Sequence, residues 1–399
     1  MGRRKRDGAD QDGLKPAGEE SASVEAGEPD PDEDPAWVEG VRSGLLDWYE
    51  GAGRKLPWRA NRDAYRILVS EFMLVQTTVA AVIPYFDRFL RRFPDARSLA
   101  EADEADVVKA WEGLGYYRRA RQLQAAAQQV VRMHGGNIPD DAAAVRALPG
   151  VGPYIAGAVL SFAFDRPEPI VEANSQRVLA RLVALRDDLK STAARRRVWL
   201  AAGRLVPPRR AGDFNQAMMD LGALLCTPRQ PSCLLCPVAA LCRARRLGLQ
   251  DAIPRTTPKP PPTAVSEACA VVHGRGRILI VQRGRGRLWE QFWEFPTIHL
   301  AGPDPAGRSF EAPVELAEGV RRLTGITADI GPPLATIRYG VTNYRVALEV
   351  SRGEARSGHP QPGPGLIDAR WVEPQRLGEF TFSSASRRLI ALLSLVTGY

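Results

Sequence analysis

Four cysteines, Cys226, Cys233, Cys236 and Cys242, crowd into one stretch with the spacing C-x6-C-x2-C-x5-C. Four thiolates on one short loop enclose either a cubane iron–sulfur cluster or a tetrahedral zinc ion. Zinc sites more often carry two C-x2-C pairs, and only one is present here. The crowding points to a metal site in a reducing compartment, not to disulfides. The fifth cysteine, Cys269, sits in an apolar run and reads as core. Glu71 is the second chemical candidate, because it stands among apolar residues on both sides in Ile67-Leu68-Val69-Ser70-Glu71-Phe72-Met73-Leu74. A carboxyl desolvated in this way has a raised pKa and can act as a general acid. Third, Leu148-Pro149-Gly150-Val151-Gly152 precedes a helical run that opens at Pro153. Gly150 and Gly152 permit a tight turn and close backbone approach to a phosphate, and the helix start presents free N–H groups to an anion. Gln216 and Asp220 are four apart and share one helix face.

Such groups need rigid elements beneath them. Apolar residues recur at helical spacing in 37–50, 64–92, 116–132, 153–163, 174–185, 194–205 and 213–225, and turn signals separate these runs. This predicts an all-α domain over 37–250. Residues 254–262 hold five prolines, which make 251–263 a stiff linker. Beyond it the texture changes. Short strands are predicted at 268–273, 277–282, 293–298, 335–350 and 368–372, with helices at 315–324 and 384–395 and a loose loop at 351–365. Residues 264–399 therefore read as an α+β domain.

The 399 residues suffice for two domains. Residues 1–36 carry five Arg or Lys and eleven Asp or Glu, so the net charge of +8 resolves into a tail of −6 and a body of +14. The tail has few large apolar residues and reads as disordered. A body that basic favours a polyanion partner. No run approaches the roughly 18 apolar residues that cross a bilayer, and no apolar segment follows the first basic residues as in a secretory signal. A cytoplasmic, nucleoid-associated monomer is the expectation.

The C-x6-C-x2-C-x5-C spacing resembles the 4Fe-4S loop of the endonuclease III superfamily of DNA glycosylases, and the Gly150–Gly152 turn resembles their helix–hairpin–helix. The likeness narrows further. Leu56-Pro57-Trp58-Arg59, Ser70-Glu71-x-Met73-Leu74-x-Gln76-Thr77, Gly113-Leu114-Gly115-Tyr116-Tyr117, the hairpin, Phe214-Asn215-Gln216-Ala217-Met218-Met219-Asp220-Leu221-Gly222 and the cysteine loop occur in the order of the MutY-type adenine DNA glycosylases. The resemblance covers 37–250 strongly and 264–399 weakly.

That resemblance implies a 4Fe-4S cluster on the four cysteines and duplex DNA with A:8-oxoG or A:G mispairs as partner. Glu71 would protonate the flipped adenine at N7 and later help activate water. A second carboxylate would stabilise an oxocarbenium-like sugar. The family carries an aspartate there in a D-G-N segment, whereas this chain reads Val171-Glu172-Ala173-Asn174, so Glu172 adds a methylene and Asn174 stays beside it. Tyr154 aligns with the lysine of bifunctional relatives and cannot form a Schiff base, which implies base excision without efficient strand cleavage. By the same resemblance Gln76 would wedge into the duplex, Thr77 would face 8-oxoguanine, and Leu114 and Tyr116 would insert or stack around that base. Trp58 and Arg59 would line the adenine pocket, and Gln216 and Asp220 would bond the adenine edge. Val75 stands where the family usually has glutamine.

In the C-terminal domain, Trp289-Glu290-Gln291-Phe292-Trp293-Glu294-Phe295-Pro296 resembles the strand entering a Nudix-type domain. The acidic helix that gathers magnesium in active Nudix hydrolases has no counterpart, so the domain reads as hydrolase-inactive. Its implied role is recognition of 8-oxoguanine through Thr342 and Asn343, the latter replacing the family's histidine. Two other readings compete: a mismatch glycosylase with altered base choice, such as thymine, and a lesion-binding relative with weak catalysis.

Overall fold

The computed structural model describes residues 34–258, 260–286, 288–304, 306 and 315–397. The acidic tail predicted at 1–36 falls almost wholly outside them. The last residues of that tail are helical: α1 spans Pro35–Ala52, and Asp34 caps it by accepting from the Ala36 N–H at 2.9 Å.

The helical part continues with α2 (Ala64–Leu74), α3 (Val79–Arg92), α4 (Ala96–Glu101), α5 (Glu104–Ala110), α6 (Arg118–His134), α7 (Ala142–Arg146) and α8 (Pro153–Phe164). Then follow α9 (Ala173–Leu182), α10 (Thr192–Leu205), α11 (Ala211–Leu224) and α12 (Arg243–Arg246). The single helix predicted over 64–92 is in fact two. Thr78 caps a new helix start, and Gln76 between them takes a left-handed φ of 59°. An unbroken apolar rhythm across 67–75 hides this break. The helices α4, α5 and α7, each seven residues or fewer, leave no mark in the sequence pattern, because they are too short to show a period.

Two cores organise these helices. One runs from Trp58 to Leu160 around Phe72, Phe86, Phe89 and Trp111. The other joins α1 to the segment 178–253 through Val41, Leu45, Phe214 and Leu221. The N-terminal helix thus crosses back to complete the second lobe, packing on α10 and α11. Each fully buried Leu or Phe contributes about 1.5–3 kcal/mol of hydrophobic stabilisation. The cleft between the lobes holds the residues of chemical interest.

The C-terminal part is a mixed seven-stranded sheet flanked by helices. Its elements are β1 (Thr263–Gly274), β2 (Arg277–Arg283), β3 (Trp293–Glu294), β4 (Thr297–Ala301), α13 (Leu316–Thr324), β5 (Thr327–Val341), β6 (Tyr344–Ser357), β7 (Leu366–Val372) and α14 (Ser384–Thr397). The order is β3-β2-β1-β6-β5, with β4 pairing β1 and β7 pairing β2. Among the described strand pairs, β1 and β6 run parallel and the others antiparallel. Alternate residues feed opposite faces, as the pleat requires. Cys269, Val271, Ile278 and Ile280 pack toward Phe382 and Leu389 of the α14 side, whereas Ala270, Val272 and Leu279 pack toward Val320 of α13. Cys269 is core, in agreement with its apolar setting.

Two strand expectations need correction. The strand predicted over 335–350 is a hairpin, with Val341 paired to Tyr344 across Thr342 and Asn343. Gly340 and Asn343 are weak turn signals, and the residue that takes the left-handed conformation is instead Thr342, β-branched, with φ 52° where glycine or asparagine is usual. The loop predicted at 351–365 is strand as far as Ser357. Gly353, which reads as a turn residue, is needed inside the sheet: a Cβ there would stand 2.7 Å from Ile330 and 3.2 Å from Val272.

Candidate active site

Residues of both helical lobes line one cleft of about 980 Å³, within the usual size range for small-molecule sites. Trp58, Arg59, Glu71, Gln76, Thr77 and Tyr154 come from the first lobe, and Glu172, Asn174 and Gln216 from the second. Most residues quoted for the chemistry therefore converge.

Glu71 is at the floor. Its helix α2 is buried nearly all round, and Glu71 itself is 1% exposed. Burial pushes its carboxyl up to about 7, against the pull of the Tyr154 hydroxyl and the Arg59 charge, while the Glu172 charge raises it further. Tyr154 donates to Glu71 Oε2 at 2.5 Å. Burial, then the neighbouring Glu71 charge, lifts the phenol of Tyr154 well above its ordinary range, so it stays a donor. Glu172 is the N-cap of α9. Its Oε1 accepts from the Ser175 N–H at 2.7 Å and its Oε2 from Asn174 Nδ2 at 3.3 Å. Burial raises its pKa, opposed by the backbone N–H groups of Asn174 and Ser175 and by Arg177. The cap fixes a carboxylate that faces the same cleft as Glu71.

Arg59 is oriented from behind. Its Nη1 and Nη2 donate to Asp220 at 2.8 and 3.0 Å, and Arg54 donates to Asp220 from its backbone N at 2.9 Å and its Nε at 2.7 Å. Burial alone would raise the Asp220 pKa, but Arg59 and Arg54 hold it below the usual carboxylate range. Asp220 is wholly buried under these arginines. Its place corrects the expectation of a base-edge contact: it shares a helix with Gln216, but only Gln216 reaches the cleft. Gln216 accepts from Tyr49 Oη at 3.3 Å. Trp58 is buried, edge-on to Phe86 at 5.4 Å between centroids.

The hairpin turn lies beside the floor. Gly150 has φ 77°, and a Cβ there would stand 2.7 Å from Gln122 Cβ and 3.0 Å from the Phe72 ring, next to Glu71. Gly152 caps α8 without a side-chain bond and with open space where a Cβ would be.

A second cleft separates the helical lobes from the sheet. Gln76 belongs to both clefts, and Tyr116, Trp289, Tyr339 and Thr342 line the second. Thr342 is exposed at the hairpin tip, and its hydroxyl donates to Asn343 Oδ1 at 3.3 Å. Asn343 is exposed but does not line the cleft. Leu114 departs from the expectation as well: its side chain is in the first hydrophobic core, and Tyr116 alone of that pair faces the cleft.

Below this cleft the two parts are joined. Glu112 receives Arg387 Nε at 2.6 Å, Arg387 Nη2 at 3.2 Å, Lys109 Nζ at 2.7 Å and the Phe382 N–H at 3.0 Å. Burial would raise its pKa, yet Arg387 and Lys109 hold it low. Tyr117 and Phe292 meet edge-on with centroids 4.4 Å apart.

The four cysteines line one small cavity, with Arg181 Nη1 donating to Cys226 Sγ at 3.2 Å. Among the described residues, no three His, Cys, Asp or Glu side chains close on a point as they would round a single metal ion.

Residues 69–202 match the family described as HhH-GPD superfamily base excision DNA repair protein, and residues 267–392 match the NUDIX domain. The chain is 34% identical over 254 residues to the adenine DNA glycosylase of Buchnera aphidicola subsp. Acyrthosiphon pisum, covering 63% of this chain and 72% of that relative. It is 38% identical over 327 residues to the adenine DNA glycosylase of Rattus norvegicus, covering 69% of this chain. This chain belongs to the adenine DNA glycosylase family. It spans 63% of the rat relative's length and 58% of the human relative's. A solved thermostable thymine-DNA glycosylase aligns with a TM-score of 0.49 at 30% identity, over 53% of this chain and 98% of that one.

Within this member of the adenine DNA glycosylase family, three positioning arginines carry no signal in the sequence. Arg54 and Arg119 stand in loops or at helix starts where arginine is unremarkable. Arg177 donates to Asn174 Oδ1 at 3.0 Å, to Gly222 O at 2.7 Å and to Cys226 O at 2.8 Å, tying the cleft to the cysteine loop. Among the described residues, no helix is long and apolar enough to cross a membrane.

Proposed function

We propose that this chain is a monofunctional adenine DNA glycosylase that removes adenine paired with 8-oxoguanine, or with guanine, from duplex DNA in base-excision repair. The observation that carries the reading is Glu71, buried in the cleft it shares with Glu172, where burial pushes its carboxyl up to about 7. A carboxylic acid that holds its proton near pH 7 is matched to protonating a weakly basic ring nitrogen.

The adenine base, rotated out of the stack, enters the cleft beside Trp58 and Arg59, with Gln76 filling the gap it leaves. Glu71 gives its proton to N7. The C1′–N9 bond breaks with its electron pair leaving on adenine, and positive charge grows on the sugar. The Glu172 carboxylate, held by its cap, faces that charge. Glu71, now ionised, accepts a proton from the water that adds to C1′. Tyr154 holds Glu71 in place and has no amine with which to form a Schiff base, so the sugar–phosphate chain stays intact. The preference for 8-oxoguanine opposite the adenine is assigned to the second cleft, with Tyr116 and Thr342 at its walls.

The donor set at Cys226, Cys233, Cys236 and Cys242 fits a 4Fe-4S cluster: four thiols surround one cavity, and an arginine N–H already points at a sulfur. Bound there, such a cluster cross-links the loop by iron–thiolate bonds. Iron counting together with the visible absorption of the purified protein tests this assignment against zinc.

The decisive experiment is single-turnover excision on duplexes with A:8-oxoG, A:G, A:C and T:G, alongside Glu71→Gln. Adenine release that is fastest opposite 8-oxoguanine and lost in Glu71→Gln supports the function. Tight duplex binding without excision would replace it with a lesion-binding role.

A further inference from the structure

The helix α2 carries Glu71 and ends at Leu74, so the carbonyls of its last turn lack partners inside the helix. One side chain meets them. Arg119, in the first turn of α6, donates through Nη1 to Phe72 O and Met73 O at 2.9 Å each, and to Val75 O. Its Nη2 donates to Thr77 Oγ1 at 3.1 Å and to Gly115 O at 3.3 Å. The residue is 8% exposed, and its guanidinium lies 5.4 Å from the Tyr116 ring centroid. A cation is favoured at a helix C-terminus, and the planar fork of arginine can bond several carbonyls at once.

These bonds join three pieces of chain: the end of the acid's helix, the turn 75–78 and the turn 113–117. Each turn contains a left-handed residue that is not glycine, Gln76 at φ 59° and Tyr116 at φ 49°. Such conformations persist only where the surroundings hold them. Gln76 lines both clefts, and Tyr116 and Arg119 line the second.

We propose that Arg119 is a positioning residue that couples the two clefts: it holds Gln76 and Tyr116 against the end of the Glu71 helix, so that what fills the second cleft sets the placement of the acid in the first. The inference rests on reading the first cleft as the site of base excision. It assigns the discrimination between opposite bases partly to a residue that contacts neither base.

The test uses the full chain and Arg119→Lys, which keeps the charge but cannot span the five acceptors. In the protein without DNA, amide hydrogen exchange should rise at least tenfold in both 75–78 and 113–117, with α9 and α11 unchanged. In single-turnover excision, the ratio of adenine release opposite 8-oxoguanine to that opposite guanine should fall toward one. A rise in exchange confined to one turn overturns the coupling, as does a preserved ratio. Should the unsubstituted protein release no adenine opposite either base, the base-excision reading fails by itself. The exchange arm still decides: both turns loosening supports the shared anchor, and one or neither refutes it. If Arg119→Lys does not fold, Thr77→Val, which removes one bond of the fork, is read by the exchange arm alone: loosening of both 75–78 and 113–117 supports the shared anchor, and loosening of one or neither refutes it.

Discussion

Replacing Glu71 by glutamine should make the protein more stable, and increasingly so as the pH rises. The buried carboxyl has a folded pKa of about 7 against 4.5 when solvated. The folded state therefore binds more protons than the unfolded state between these values, and stability falls as the pH climbs through that window. The penalty is complete above the folded pKa. A shift of this size corresponds to about 3 kcal/mol at pH 8 and about 1 kcal/mol at pH 5, at 1.36 kcal/mol per unit. The glutamine side chain of Glu71→Gln has the same shape, carries no charge and can still accept from Tyr154, so the variant escapes the penalty. Thermal melts of the two proteins from pH 5 to pH 8 should diverge, reaching roughly 6–12 °C at the alkaline end for a domain of this size. A gap that is constant with pH would show that Glu71 is not desolvated in the folded protein, and the argument for a neutral-pH acid would fall with it.

Adenine excision should decline about tenfold per pH unit above 7, because the acid must enter the reaction protonated; a flat single-turnover profile to pH 9 would contradict this. Tyr154→Phe removes a bond that favours the ionised carboxylate, so the midpoint of that profile should move up by about one unit. Asp220→Ala strands Arg54 and Arg59 and should cost about 3–5 kcal/mol in denaturant unfolding, with weakened excision. Glu112→Ala leaves Arg387 and Lys109 without their carboxylate and the Phe382 N–H without its acceptor, so amide exchange at Phe382 should speed up; an unchanged rate would mean that the junction does not depend on Glu112.

What can be read from the sequence is what repeats or what is rare. The long helices declare themselves by period, and the cysteines by their crowding. Glu71 is marked by a charge inside an apolar run. Glu172 is located by its place beside Asn174, but its duty as a helix cap depends on Ser175 bonding back, which spacing alone does not reveal. Leu114 and Asp220 miss their expected places for a common reason: a motif shows which residues accompany a site but not which of them face it. The hairpin at Thr342 escapes because the left-handed position is held by a β-branched threonine, while Gly340 and Asn343 on either side sit within or beside strands whose alternation runs on from β5 into β6. Arg119 escapes because four of its five acceptors are backbone carbonyls, and carbonyls belong to every residue.

The Glu112–Arg387–Lys109 junction has a consequence for how a duplex is met. A proline-rich linker alone would leave the sheet domain to search for its partner after each encounter, with an entropic cost for every closure. Here the two bodies are keyed together in the free protein, and that ordering has been completed during folding. On the proposed function, the gap between them would act as a preset gauge, and a duplex would have to bend to fit it more than the protein moves to meet it.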